Sequence, residues 1–369
     1  MTSPIQPEVS VVLAVHNGLS MLPRKIRHLL SLDYRGIKEV IIVSDGSSDG
    51  TEEYLATQDD RRLKCIILGK HSGKAVAVNT GIQAASAEII LFVDIRPEIA
   101  PGAIQQLVSN FADPSVGCAN GELIVRCGDG SGASAAIGGA YWSYEKWIRT
   151  SESKSGSAVG VYGGFYAIRR SLAVSQPAGL ILDDMFQPLS IRRQGFRVVL
   201  DPKAYVYDAW PQTVGRELHR KVRTLAGNFQ LFQIAPWTLT WRNPLLFRLI
   251  SHKVMRLFVP YLFVAAVVCT FLLSPTSHFY AALAAIQMLG IVLASVGLRY
   301  DVPVLHRVAS PMSAVFVLNA AAVLGLYKFL FTRGPLWTIW KSSHSSNVTL
   351  HPGAAGSSSG PAAQSNQSE

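Results

Sequence analysis

The chain has 369 residues, of which 49% are hydrophobic and 16% charged, with a formal net charge of +10 and a mean hydropathy of +0.25. An average soluble domain carries about 25% charged residues, so this composition excludes an intrinsically disordered chain and argues against a purely soluble one. The apolar excess is local: the 42 residues between Arg256 and Arg299 contain no Asp, Glu, Lys or Arg.

The N-terminal MTSPIQPEVS has neither a charged leader nor a long apolar run. No cleaved signal peptide is expected, and the region before the apolar segments is expected in the cytosol. Val9–Val15 is an apolar, β-branched run of strand length that stops at His16-Asn17-Gly18. Leu19–Leu32 has helical spacing, and Glu39–Val43 reads as a second buried strand. Asp49-Gly50-Thr51-Glu52-Glu53 looks like a helix start with acids in its first turn. A third strand is expected at Leu63–Leu68, a helix at Gly73–Ala84, and a fourth strand at Glu88–Val93, ending at Asp94. Strands separated by helices of this length imply βαβ units and a mostly parallel sheet. In such sheets ligands bind at the carboxyl ends of the strands. His16 and Asn17, Ser44-Asp45-Gly46, and Asp94 fall at those ends.

The pattern then loosens. Ala140–Ser151 is an aromatic-rich amphipathic helix, and the Gly/Ser stretch Ser153–Gly164 leads into a strand at Phe165–Ile168. A helix is expected over Ile181–Gln194, opening with Asp183-Asp184, then a strand at Phe196–Leu200 and a basic helix at Val214–Gly227. From Arg216 to Arg256 there are eight basic residues and one acid, Glu217. Placed just ahead of the apolar run, they read as a belt for anionic lipid on the cytoplasmic side, which disfavours nucleic acid as partner. Asn243–Met255, apolar on one side and basic on the other, reads as an interfacial helix. Apolar segments follow near 257–273, 279–298 and 308–330, each about the length a span needs. The expected organisation is therefore a cytosolic α/β domain over 1–230, an interfacial segment over 231–256, about three transmembrane helices over 257–341, and a disordered Ser/Gly-rich tail over 342–369. Cys65, Cys118, Cys127 and Cys269 have no CxxC spacing and read as reduced packing residues.

Three groups of carboxylates carry the chemistry: Asp45 with Asp49, Asp94, and Asp183 with Asp184. Each alone has a plainer reading, as a polar turn, a strand-end turn or helix-terminal charge. Their joint occurrence in this order is what is specific. The set Val9-Ser-Val-Val-Leu-Ala-Val-His-Asn17, Val43-Ser-Asp-Gly-Ser-Ser-Asp-Gly-Thr51, Gly73-Lys-Ala-Val-Ala-Val-Asn79, Phe92-Val-Asp94, Asp183-Asp184 and Arg220-Lys-Val-Arg223 resembles the membrane-bound family 2 glycosyltransferases. That group includes the cellulose, hyaluronan and poly-N-acetylglucosamine synthases, and the resemblance covers about residues 8–256.

The resemblance implies a GT-A, Rossmann-like nucleotide-sugar-binding domain followed by a helical transmembrane domain in the cytoplasmic membrane. It implies that Asp45 accepts hydrogen bonds from the base of a nucleotide-sugar donor, with UDP the expected nucleotide. The backbone from Ala14 through His16 to Asn17 would line the same pocket, with Lys74 and Asn79 near the nucleotide. Asp94 matches the first acid of the family's Asp-x-Asp, which holds Mg²⁺ or Mn²⁺ against the diphosphate. Asp184 matches the general base that takes the acceptor's proton, and Asp183 beside it would raise its pKa. Arg220 and Arg223 fall where processive members have Gln-x-x-Arg-Trp, and Arg223 would pair with the diphosphate. The implied reaction is an inverting transfer to a glycan or lipid-linked acceptor. Single-sugar transfer to a polyprenyl phosphate, as in dolichol-phosphate-mannose synthase-like proteins, and an inactive nucleotide-binding scaffold are the alternatives. Two departures stand out: Asp94-Ile95-Arg96 lacks the second acid of the metal motif, and Arg220-Lys-Val-Arg223-Thr224 lacks the Gln and the Trp.

Overall fold

The computed structural model describes residues 6–126, 133–209, 214–299, 306–332 and 336. The chain runs β1 (Val9–Val15), α1 (Leu22–Leu30), β2 (Ile37–Asp45), α2 (Thr51–Ala56), β3 (Leu63–Leu68), α3 (Lys74–Ala84), β4 (Ile89–Val93), β5 (Glu98–Ile99), α4 (Ala103–Ser109) and β6 (Val116–Arg126). It continues through α5 (Ala133–Lys154), β7 (Phe165–Arg169), α6 (Asp183–Arg193), β8 (Arg197–Ala209) and α7 (Val214–Ile234). Four helices follow: α8 (Leu246–Leu249), α9 (Met255–Leu273), α10 (His278–Arg299) and α11 (His306–Phe331).

The strands form one mixed sheet in the order β3-β2-β1-β4-β7-β6-β8-β5. Side chains alternate across a strand, so β1 divides its apolar residues between two cores. Val9, Val11, Leu13 and Val15 belong to the core that also holds Leu22 and Ile26 of α1, Leu55 of α2 and, further along the sheet, Leu107 of α4. Val12 faces the other way, into the core that holds Ala77 and Val78 of α3 and, further along the sheet, Ile191 of α6. Helices thus cover both faces, which is why the parallel strands read as nearly unbroken apolar runs. Each such side chain buried contributes about 1.5–3 kcal/mol.

The expected parallel half is present: β1 pairs in parallel with β2 and β4, and β2 with β3. Beyond β4 the sheet turns mixed, because β7 runs antiparallel to both β4 and β6. The structure adds α4, β5 and β6, and extends β8 to Ala209, where the sequence pattern stopped at Leu200. Strand β6 hides its nature because Gly117, Asn120, Gly121 and Glu122 interrupt its apolar run. Both glycines are required by close approach: a Cβ on Gly121 would come within 2.2 Å of the Phe165 ring, and one on Gly117 within 2.6 Å of Ile191.

Among the described residues, two helical stretches, Leu246–Thr276 and His278–Val296, are long and apolar enough to cross a membrane, and Val315–Phe331 within α11 is apolar as well. Helix α11 packs on the basic helix α7. Ala321 and Ala322 join Val222, Leu225 and Leu257 in one apolar cluster, and Phe329 stacks on Phe229 at 5.8 Å. Arg333 and Lys341, which bear on the sidedness of the third segment, lie outside the described residues. Part of the expected basic belt has protein partners. Arg248 donates to the carbonyl oxygens of Glu152, Ser155 and Ser157 at 2.5–2.9 Å. Lys253 and Arg256 pair with the buried Glu145 at 3.6 and 2.6 Å. These three cations fasten α5 and the loop after it to the first long apolar helix.

Candidate active site

Strands β1, β2 and β4 run parallel, so their carboxyl ends share one edge of the sheet. Strand β8 runs parallel to β6, which is antiparallel to β7 as β4 is, so β8 ends at that edge too. Loops from these ends are stitched together by hydrogen bonds. Asn17, at φ 51°, accepts from Ser48 N at 2.8 Å and donates its own backbone N–H to Ser47 Oγ at 3.0 Å. Asp49 accepts from the backbone N–H groups of Leu19 and Thr51.

Asp45 is buried at the end of β2, and both its carboxylate oxygens have protein partners. Oδ1 accepts from Ser72 N at 2.7 Å, and Oδ2 accepts from Gly73 N at 2.8 Å and lies 2.8 Å from His71 Nδ1. Its carbonyl oxygen accepts from His16 Nδ1 at 2.8 Å, and the His16 and His71 rings stack at 3.8 Å. Gly46 follows at φ +61°, where a Cβ would fall 2.2 Å from His71 N, so only glycine suits this turn. Asp45 therefore fixes the loop that starts α3 and places Lys74.

Lys74 Nζ lies 3.2 Å from Asp94 Oδ1 and 3.1 Å from Asp183 Oδ2. Removal from water works against its charge, but the carboxylates of Asp183 and Asp94 outweigh that and hold its pKa above the ordinary lysine value. This one ammonium ties the end of β4 to the first turn of α6. Asp184, next in the helix, has a different environment. Its Oδ1 is buried without a hydrogen-bond partner. Burial, with the negative charge of Asp183, raises its pKa to about 6 from the ordinary 3.8, against the pull of Lys74, Lys253 and Arg223. Gly163 makes room for it: a Cβ there would stand 3.2 Å from Asp184 Cβ. The arrangement is a partly desolvated carboxylate, poised near neutrality, beside a cation that neutralises its neighbours.

The structure thus gathers Asp45, Lys74, Asp94, Asp183 and Asp184 at one edge, with the Ala14–Asn17 segment beside Asp45. Arg223, exposed on α7, is near enough to act on the charge of Asp184, as is Lys253. Arg220 acts on the buried hydroxyl of Tyr162. Asn79 is not brought into this group: its side chain donates to Gln176 O and accepts from Gln176 N, both at 2.8 Å, and so holds the segment after β7. Of the aromatic residues of the 140–151 helix, Trp147 is 65% exposed, while the side chains of Tyr141 and Trp142 lie outside the described residues. His71, Tyr162, Asp208 and Lys253 were not anticipated as site residues. His71 follows the end of β3, and the strand-end rule extended to that strand finds it.

Whether a metal ion fits can be judged from the donor set. Among the described residues no three of His, Cys, Asp and Glu gather as a metal cage. Asp94 supplies one carboxylate, 41% exposed, and the second motif position is Arg96, whose Nη2 lies 3.3 Å from Asp208 Oδ2. Mg²⁺-type ions take one or two protein carboxylates and complete their shell with substrate phosphates and water. Asp94 fits a cation held in that shared way.

Residues 10–174 match the family described as Glycosyl transferase family 2. The chain carries a family 2 glycosyltransferase domain. The matched stretch holds Asp45, Lys74 and Asp94, and α6 and α7, with Asp184 and Arg223, follow it. The chain is similar to the poly-beta-1,6-N-acetyl-D-glucosamine synthase of Staphylococcus aureus, 25% identical over 232 residues, covering 60% of this chain and 55% of the relative. The synthase of the same name from Staphylococcus epidermidis is 25% identical over 240 residues, covering 62% and 57%. The chain thus spans about half the length of the curated relatives it matches. A mannosyltransferase from Pyrobaculum calidifontis, solved in complex with GDP-Man and Mn²⁺, superposes with a TM-score of 0.68 over 89% of both chains at 22% identity. The family 2 domain therefore has the GT-A type of fold, followed by apolar helices.

Proposed function

We propose that the chain is an inverting glycosyltransferase of the cytoplasmic membrane. It moves a sugar from a nucleoside-diphosphate donor, with UDP the expected nucleotide, to a hydroxyl of a glycan or lipid-linked acceptor. The observation that carries this reading is the juxtaposition of Asp184, with its unpartnered buried Oδ1, and the Lys74–Asp94 pair at the carboxyl edge of the sheet. In the reaction the acceptor oxygen bonds to the anomeric carbon as the bond from that carbon to the diphosphate oxygen breaks. Asp184 takes the hydroxyl proton, and a base with a pKa near 6 is ionised yet still basic enough to do so at neutral pH. A single displacement from the face opposite the leaving group inverts the anomeric centre. The electron pair leaves on the diphosphate, and Lys74 and Arg223 are placed to offset that charge. Asp94 would hold a divalent cation, which would supply further neutralisation of the leaving diphosphate. The catalytic domain faces the cytosol, where nucleotide sugars are made, and the two long apolar helices anchor it.

A second reading has one observation in its favour. Arg223 and Lys253, on elements that adjoin the apolar helices, both act on Asp184. Cations placed there also suit an acceptor that carries a lipid phosphate. The test is nucleoside-diphosphate release in membrane vesicles, across UDP- and GDP-sugars, with glycan oligomers and polyprenyl phosphate as alternative acceptors. Release that depends on a glycan acceptor supports the first reading, and release that depends on polyprenyl phosphate supports the second. Nucleotide binding with no release from any donor contradicts both and indicates an inactive scaffold.

A further inference from the structure

The position that departs from the metal motif has a definite place in the fold. Beyond β4, the backbone N–H of Asp94 bonds to Gly164 O at 3.3 Å, which pins the strand end. Ile95 tucks under the loop after β1, where its Cδ1 would lie 2.7 Å from a Cβ built on Gly18. Strand β5 then pairs Glu98 with Tyr207 and Ile99 with Val206, so the antiparallel register, carried on, brings residues 97 and 96 across from Asp208 and Ala209. Asp208, next to last in β8, lies at the same edge of the sheet as Asp94. The Arg96 guanidinium meets it at 3.3 Å, with the cation 54% exposed and the acid 10%. The pair thus has a sheltered anchor and an outward-facing fork of donors. Arg96, Asp94 and Asp208 also act together on the phenol of Tyr162, whose ring lies against Gly164. Arg96 and Asp208 thus lie close to Asp94 beside the end of β4.

We propose that Arg96 is a donor-binding residue whose guanidinium, held in place by Asp208, contacts the diphosphate of the nucleotide sugar directly. The inference rests on the donor reading given above. Exchanging a carboxylate for a guanidinium changes the local charge by the same sign and amount as adding a divalent cation. An Arg fork also matches phosphate oxygens two at a time, which an ammonium does not. Arg96 takes over part of the cation's work, so diphosphate binding survives removal of the metal.

Titration calorimetry of the full chain in detergent tests this with UDP as probe, in chelator and in Mn²⁺. For the native chain the expected Kd in chelator lies within about threefold of that in Mn²⁺. Arg96→Gln is expected to weaken UDP in chelator by about tenfold or more, the size of one charge-assisted contact. Arg96→Asp, which restores the two-acid motif, is expected to bind UDP weakly in chelator and about tenfold or more tighter in Mn²⁺. Thermal unfolding of each variant, with Arg96→Lys as the charge-retaining control, separates loss of folding from loss of binding. If Arg96→Gln lowers the unfolding temperature and leaves the UDP Kd unchanged, Arg96 only neutralises Asp208 and the proposal fails. Loss of UDP binding by the native chain in chelator, with Arg96→Gln equal to it in Mn²⁺, overturns the proposal and leaves the donor reading standing. Absence of binding to UDP and to GDP in every condition overturns both.

Discussion

Asp184→Asn separates the cost of the site from its function. The folded chain holds the Asp184 carboxyl at a pKa of about 6, against the ordinary 3.8, through burial and the adjacent Asp183. For an acid raised in this way, ionisation is what folding opposes. The cost is absent below about pH 4, grows between pH 4 and 6, and is fully present above. The difference between the two values corresponds to about 3 kcal/mol, on the order of a fifth to three fifths of a domain's net stability. An Asn keeps the shape and removes the charge. At pH 8 the variant is therefore expected to unfold several degrees higher than the native chain, with the gap closing as pH falls to 4. Sugar transfer in the same variant is expected to drop by roughly a hundredfold or more, the scale of a lost general base. Native activity should rise with pH through a limb near 6. The assay pairs thermal unfolding at several pH values with nucleotide release. A variant that unfolds lower at pH 8, or that transfers at the native rate, refutes the reasoning.

Other perturbations test neighbouring parts. Lys74→Ala removes the cation between Asp94 and Asp183, so the activity limb of Asp184 should shift to higher pH, which a pH–rate profile will read. Gly163→Ala places a methyl 3.2 Å from Asp184 Cβ, so turnover should fall while far-ultraviolet dichroism stays native. Asp45→Ala leaves the N–H groups of Ser72 and Gly73 without their acceptor, which should cost about 1–3 kcal/mol in denaturant unfolding and weaken nucleotide binding. Glu39 behaves oppositely to Asp184. Despite burial, its contacts with Lys64, Ser10 and Ser86 hold its pKa at about 2, below the ordinary 4.5. Its stabilisation is present above pH 4.5 and lost as pH falls toward 2, so Glu39→Gln should flatten the acid limb of the stability curve.

The first half of the sheet was legible because its strands are buried on both faces and its turns are rich in Gly, Asn and Asp. Strands β1 and β3 have the same limits in the sequence pattern and in the structure. The second half was less so. Strand β6 admits Gly117 and Gly121 where Ile191 and Phe165 press against the backbone, and that demand is tertiary. Among site residues, Asp45, Asp94, Asp183 and Asp184 were visible as acids at strand and helix ends. Lys74 was visible too, but its pairing with them was not, because it reaches two carboxylates that lie 20 and 109 positions away in the chain. Asn79 looked like a ligand and instead clasps Gln176, since an asparagine on a helix carries no sign of which loop will cross it. Arg248, Lys253 and Arg256 looked like lipid contacts, and the buried acid and open carbonyls that claim them sit about a hundred residues earlier.

The measurement that bears most directly on the central claim is the anomeric configuration of the product, followed by nuclear magnetic resonance as native chain and Asp184→Asn act on a nucleotide-sugar donor in vesicles. The account predicts a product inverted relative to the donor, formed at least about a hundredfold more slowly by the variant. A product with retained configuration, or an Asp184→Asn chain that forms it at the native rate, contradicts it.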